Sequence, residues 1–318
     1  MAQTKSVRKG WVTKELEIEG KTVLITGANT GIGFSTALNL AKRKAKVIIA
    51  CRSLEKAESA RQKIIEETGS HNVFIKHLNL ASFDSIRKFS ADINATEERL
   101  DILINNAGLL LSTYEETEDG FEMHFGVNHL GSFLLTNLLL ELLKKSSPSR
   151  IVNVSSIGHK YATIDWEDPN GKNNFSPEAY GRSKLMNILF SRELSKRLDG
   201  TGVTSNSLHP GAVKTEIARD LSWSKVSGCL GCLTVCAFKT FSGLMISPDK
   251  GAQTSIYCAI APELEGVTGK YFSGCKVVRE SSDARDDESA SKLWKISEEL
   301  TGLHETENSG KTEREDTK

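Results

Sequence analysis

A charge excess of either sign is the first thing this sequence lacks. Its 318 residues carry 41 basic and 41 acidic side chains, so no net field recruits a nucleic acid, and nucleic acid is excluded as a partner. Cysteine is scarce. The six, Cys51, Cys229, Cys232, Cys236, Cys258 and Cys275, form no evenly spaced framework, which excludes a disulfide-stapled secreted domain and points to reduced thiols. Cys229-x-x-Cys232 has no second ligand pair, so no metal is expected. The first 20 residues, MAQTKSVRKGWVTKELEIEG, contain no apolar run. A signal peptide needs about 7–15 apolar residues and a membrane span about 20. The expectation is an intracellular protein, not secreted, either cytoplasmic or peripheral on an internal membrane such as the endoplasmic reticulum or mitochondrion. No internal repeat is visible.

What is present is ordinary globular material, 38% apolar and 26% charged. Residues 1–18 read as a polar, solvated basic arm. Residues 304–318 carry too few apolar groups to offset their ordering entropy and read as a disordered tail. Between them, short β-branched runs alternate with stretches of helical period, the pattern of βαβ units. Strands are expected at 22–26, 46–50, 73–78, 102–106, 150–155, 203–209 and 269–272. Helices are expected at 33–43, 56–68, 83–95, 121–143, 178–198, 250–261 and 286–300. Ligands of such a sheet bind beyond the carboxyl ends of the strands, where the unusual residues of this chain collect.

TGANTGIG, 26–33, joins the first of these strands to a helix. Its glycines permit a tight turn, and the helix N-terminus offers N–H groups to a pyrophosphate. Gly27, Gly31 and Gly33 give the spacing G-x-x-x-G-x-G, with Asn29, Thr30 and Ile32 between them. Arg52 ends the next strand, where an acid would bind a ribose 2′-hydroxyl and a cation a 2′-phosphate. No acid stands there, so NADP(H) is favoured over NAD(H). Tyr180 and Lys184 in YGRSK are four apart and share one helix face. A neighbouring ammonium lowers a phenol from its usual value of roughly 10, readying it to exchange a proton with a substrate oxygen. Ser156, at the end of the fifth strand, can donate to the same oxygen, while Ser155 reads as a turn serine. Asn128 lies in an apolar helix where an amide is costly unless paired, and an orienting link to Lys184 is expected.

Together TGANTGIG, NNAG (105–108), Asn128, Ser156, YGRSK and HPGAVKTE (209–216) resemble the short-chain dehydrogenase/reductase family over nearly the whole chain. The resemblance implies one α/β domain at 19–303, Rossmann-type and doubly wound, with a seven-stranded parallel sheet and helices on both faces. It implies a tetrad of Asn128, Ser156, Tyr180 and Lys184. Cofactor contacts are implied at the glycine motif, Asn79 and Leu80, Asn106, Ala107 and Gly108, Tyr180 and Lys184, and Pro210, Gly211, Val213 and Thr215. The strings ACRSLEKAE, DGFEMHFGVNHLG, SRIVNVSS and KGAQTSIYCA, with the 24-residue step from Ser156 to Tyr180, are similar to the microsomal and mitochondrial retinol dehydrogenase group. That likeness implies NADPH-linked interconversion of retinal-like apolar aldehydes or ketones with their alcohols. Three features depart from the group: the amino-terminal stretch has no hydrophobic anchor, Phe34 stands in place of a lysine, and Asn79 in place of an Asp. A steroid or general carbonyl reductase, and a non-catalytic NADP(H)-binding regulator, are the alternatives. Residues 212–248 are expected to form a substrate lid, with the apolar stretch 229–246 making peripheral membrane contact. A homo-oligomer is compatible with the sequence.

Overall fold

The structure, a computed structural model, describes residues 7–8, 11–12, 16–172, 175–176, 178–214, 217 and 245–303. Two short strands come first, β1 (Val7–Arg8) and β2 (Trp11–Val12), paired as an antiparallel ribbon. The main strands are β3 (Thr22–Thr26), β4 (Lys46–Cys51), β5 (Val73–His77), β6 (Ile102–Asn105), β7 (Ser149–Val154), β8 (Val203–His209), β9 (Tyr271–Ser273) and β10 (Lys276–Val277). Between them run α1 (Gly31–Ala41), α2 (Leu54–Thr68), α3 (Phe83–Thr96), α4 (Gly131–Leu138), α5 (Leu140–Lys145), α6 (Ala179–Arg197), α7 (Pro248–Ile260) and α8 (Asp287–Thr301).

The sheet order is β10-β9-β8-β7-β6-β3-β4-β5. From β5 to β9 every pairing is parallel, which gives the seven expected strands, and β10 adds an antiparallel edge. The eighth strand exists because Gly274 and Cys275 both take positive φ, 58° and 60°, as a two-residue hairpin turn requires. Period-2 alternation divides the interior. Val23 and Ile25 pack with α1 and α7 on one face, while Leu24 packs with α3, α4 and α6 on the other. Each fully buried Leu, Ile or Phe contributes about 1.5–3 kcal/mol, so both faces are firmly covered.

The basic arm is not wholly solvated, which corrects one expectation. Val12 is buried; its N–H donates to Gln253 Oε1 of α7 at 3.0 Å, and Lys250 Nζ lies 4.9 Å from the centroid of the Trp11 ring. The helix expected over 121–143 is three pieces: a π-helical segment (His124–Leu130), α4 and α5. Residues 304–318, Thr215, Cys229, Cys232, Cys236 and most of the expected lid lie outside the described residues. The two ends of the lid are nevertheless joined, since Ile246 N donates to Ala212 O at 2.9 Å and Lys214 N to Ile246 O at 3.0 Å. Among the described residues no helix is long and apolar enough to cross a membrane.

The chain runs outward from β3 through β4 to β5, then returns to place β6 on the other side of β3. Strand order therefore reverses between β3 and β6. The crevice beyond their carboxyl ends is where such a sheet receives a ligand.

Candidate active site

Gly27 and Gly31 follow β3 with φ of 66° and 57°, the left-handed region that glycine enters without strain. Close approach decides the third glycine. A Cβ on Gly33 would lie 2.5 Å from Asn106 Nδ2 and 2.5 Å from Gly27 O. Asn106 locks this turn to β6: its Nδ2 donates to Thr26 O at 2.8 Å, and its N–H and that of Ala107 both donate to Thr26 Oγ1 at 3.0 Å. The result is a cradle of backbone with no side chain in the way, open to the N-terminus of α1. A cavity of about 280 Å³ beside it is lined by Asn29, Thr30, Ile32, Arg52, Lys56 and Gly108, among others. An adjoining cavity of about 410 Å³ extends over β4 and β5 past Arg52, Asn79 and Leu80. These paired cavities, floored by a glycine turn, fit a dinucleotide laid across the switch point. Asn79 has its amide partly committed, donating to Glu118 Oε1 at 2.9 Å and accepting from Ala81 N at 3.1 Å.

The opposite wall carries the chemistry. Ser156 follows β7 and caps a short 3-10 turn (Ile157–Tyr161), its hydroxyl accepting from Gly158 N at 3.2 Å. Tyr180 sits in the first turn of buried α6, and the Ser156 side chain is the neighbouring polar group that acts on its phenol. Lys184, one turn on, lies with Nζ 5.8 Å from the centroid of the Tyr180 ring and donates to Val154 O at 3.1 Å. The same ammonium borders the NNAG turn, since a Cβ on Gly108 would stand 3.0 Å from it. Three of the four expected catalytic groups thus meet at one point beside the cradle.

Two details differ from expectation. Burial raises the Tyr180 phenol above its ordinary value, and the Ser156 side chain only partly offsets this. Burial also lowers Lys184 to about 8. Desolvation thus acts on both groups, disfavouring the phenolate and the ammonium alike. Asn128 is fully buried on the π-helical segment, but its side chain is spent elsewhere than on Lys184. Its Oδ1 accepts from Leu109 N at 2.9 Å, and its Nδ2 donates to Leu109 O at 3.1 Å and to Ser183 Oγ at 3.0 Å. Asn128 braces the end of the NNAG turn and the catalytic helix at once.

A sequence profile of the short chain dehydrogenase family matches residues 21–225. The chain belongs to the short-chain dehydrogenase family. It is 50% identical over 303 residues to retinol dehydrogenase 12 of Mus musculus, covering 94% of this chain and 93% of that protein. It is likewise 50% identical over 299 residues to retinol dehydrogenase 13 of Homo sapiens, covering 93% and 89%. Among solved structures, an uncharacterized protein from Mycobacterium paratuberculosis superimposes with a TM-score of 0.73 at 34% identity, over 92% of this chain and 98% of that one. The protein is accordingly an oxidoreductase acting on CH–OH groups, and its Rossmann-type crevice binds a nicotinamide dinucleotide.

In this short-chain dehydrogenase several site residues escape a reading of the sequence. Ser53 and Lys56 line the cavity beside Arg52, at the start of α2. Ser155 is more than a turn serine, since its hydroxyl donates to Lys184 O at 2.6 Å and ties β7 to α6. Ser183 Oγ donates to Tyr180 O at 2.8 Å, and Asn187 Nδ2 shares Val154 O with Lys184 at 3.2 Å. Glu122 and His124 form a buried pair at 2.6 Å, and His124 Nε2 accepts from Leu111 N at 3.0 Å. Burial alone would raise Glu122, but His124 and the backbone N–H groups of His124 and Phe125 hold it below the usual carboxylate range. The DGFEMHF string is the only signal of that pair, and it does not name the partner. Pro210 and Gly211 follow β8, Gly211 with φ 98° and a Cβ position 2.8 Å from Ile246 Cδ1. Val213 packs against α7 at Gly251 rather than lining either cavity, while Ile217 reaches the smaller one.

Proposed function

We propose that this protein interconverts an apolar aldehyde or ketone with its alcohol using NADP(H), with retinal and retinol the favoured pair. The single observation that carries the reading is the half-buried Tyr180 phenol, set beside the Ser156 side chain and over Lys184 and placed beside the glycine cradle. Bound in that crevice, the dinucleotide supplies or accepts a hydride at the substrate carbon. As negative charge builds on the substrate oxygen, Tyr180 gives it a proton, and in the reverse direction takes one from the alcohol. Ser156 holds the same oxygen with a preorganised hydroxyl, and the Lys184 ammonium stabilises the phenolate that remains. The raised Tyr180 value suits the proton-donor role in carbonyl reduction.

Preference for NADP(H) is supported by Arg52 and Lys56, which line the same cavity, and by the lack of any Asp or Glu among the described residues lining it. The retinoid assignment is supported by the 50% identity to retinol dehydrogenases 12 and 13 over almost the whole chain. Asn29, Thr30, Ile32, Asn79, Leu80, Ala107, Pro210, Gly211 and Thr215 are assigned to the cofactor site, residues 212–248 to a lid, and 229–246 to contact with an internal membrane. Turnover of retinal, decanal and a ketosteroid, each with NADPH and with NADH, tests the reading. Retinal reduction with NADPH as the fastest pair supports it. Cofactor binding without reduction of any carbonyl overturns it in favour of a regulator.

A further inference from the structure

Ser156 is held by its backbone as well as its hydroxyl. The peptide joining Ser156 to Ile157 lies between two imidazoles, one from the same turn and one from β8. On one side, Ser156 O accepts from His159 Nδ1 at 2.6 Å. On the other, Ile157 N donates to Nδ1 of His209, the last residue of β8, at 3.2 Å. Register explains the second contact. Val154 pairs with Leu208 across β7 and β8, and Ser155 N donates to Leu208 O at 2.7 Å, so the next residue of β8 stands beside the start of the Ser156 turn.

The tautomers follow from the partners. Ser281 N donates to His159 Nε2 at 3.2 Å, so that nitrogen carries no proton and Nδ1 is the donor to Ser156. His209 Nδ1 receives an N–H and is therefore bare. Both rings must be neutral for the arrangement to exist. Their surroundings favour that form: burial lowers His209 to about 4, with His159 and Lys160 adding to the effect. Burial likewise lowers His159, where the Ser156 carbonyl and Glu280 act against burial and Lys160 acts with it. The Tyr271 ring meets His159 edge-on at 5.0 Å and helps exclude water.

The turn so fixed is pressed against the catalytic helix. A Cβ on Gly181 would stand 2.8 Å from Gly158 O, and one on Gly158 would stand 3.7 Å from Tyr180 Cε1. Displacing the Ser156–Ile157 peptide would therefore move Gly158 N away from the Ser156 hydroxyl and that hydroxyl away from Tyr180. We propose that His209 and His159 are positioning residues, gripping the Ser156–Ile157 peptide from its two sides and aiming the Ser156 hydroxyl at the Tyr180 phenol. The assignment rests on the catalytic reading above and adds a function for the histidine of HPGAVKTE and for His159.

The test is a double-mutant cycle with a readout that does not depend on turnover. His209→Leu removes the acceptor, whereas His209→Asn keeps an oxygen near the position of Nδ1. Each is made in wild type and in Ser156→Ala, and kcat with an apolar aldehyde and saturating NADPH is measured beside amide hydrogen exchange at Ile157 in the cofactor-free protein. The expected result is a roughly tenfold fall in kcat for His209→Leu, a KM for NADPH within about twofold of wild type, and recovery with His209→Asn. In the Ser156→Ala background the same substitution costs nothing further, because the group it aims is gone. Ile157 exchange accelerates in the Leu variant and is restored in the Asn variant. Equal losses in both backgrounds, an Asn variant no better than Leu, or unaltered exchange at Ile157 would each overturn the proposal. Wild-type protein that reduces no carbonyl would overturn the catalytic reading instead, and the exchange measurement would still decide whether His209 holds the peptide.

Discussion

Replacing Asn128 by alanine removes three hydrogen bonds from a fully buried site. The losses are unequal. Ser183 still donates to Tyr180 O at 2.8 Å and gives up only a donor to its own oxygen, so its share is small. Leu109 loses partners for both its N–H and its carbonyl. It also lines the larger cavity, where water can reach it, so each costs near the lower end of the roughly 1–3 kcal/mol of an unsatisfied buried group. With the void left by the amide, the total is about 2–4 kcal/mol, a fall in Tm of about 5–10 °C for a domain of this size. The same change frees the end of the NNAG turn, which abuts Lys184 through Gly108, so cofactor affinity should fall as well. Thermal unfolding followed by calorimetry, with NADPH titration, reads both quantities. A Tm within about 2 °C of wild type together with unchanged NADPH affinity would refute the reasoning that Asn128 braces the two walls of the site.

Gly33→Ala puts a Cβ 2.5 Å from Asn106 Nδ2 and from Gly27 O, so it should cost about 1–3 kcal/mol of stability. Dinucleotide affinity should fall more than about tenfold, by isothermal titration, because binding rests on close backbone approach; unaltered affinity would contradict the cradle. Arg52→Ala should raise the Kd for NADPH by at least about tenfold and leave that for NADH within about threefold, with Lys56→Ala giving a smaller change in the same sense. Equal effects on both cofactors would remove the assignment of the 2′-phosphate site. Burial lowers His129 to about 3 and His209 to about 4, so the folded state disfavours protons that the unfolded chain takes up below its ordinary value of about 6.5. That contribution is fully present above about pH 6.5 and is lost as pH falls toward 4, so the urea midpoint should drop between pH 7 and 4.5. Substituting both histidines by Gln should flatten the curve, and an identical slope in the variant would place the acid sensitivity elsewhere.

The strands, the glycine cradle and the Tyr180–Lys184 spacing were legible because each is written in consecutive or nearly consecutive residues with a fixed geometric meaning. What escaped depends on partners far along the chain or on helix pitch. Apolar periodicity over 121–143 announces a helix but does not separate π from α pitch, and so does not give the face that carries His124 and Asn128. A lone Asn in that stretch signals a partner without naming it, which is why Leu109 and Ser183 were missed and Lys184 expected. Gly274-Cys275 is a weak hairpin signal, because a non-glycine residue seldom takes positive φ, and β10 was missed with it. Val12 docks on Gln253, 241 residues away, which no local pattern in a basic arm discloses. The desolvation of Tyr180 is hidden for a related reason. The neighbouring cation is visible in the spacing, whereas the burial that raises the phenol belongs to the packed structure.

The central claim is that Tyr180 is the acid/base of a carbonyl reductase, and kcat/KM of Tyr180→Phe with retinal and NADPH tests it most directly. Phenylalanine keeps the ring over Lys184 and deletes only the hydroxyl, so fold and NADPH binding should match wild type. Losing one positioned acid/base typically costs on the order of 10²–10⁴ in rate, and a fall of that size is the predicted result. A Tyr180→Phe enzyme within about tenfold of wild type, with NADPH bound as tightly as before, would contradict the account.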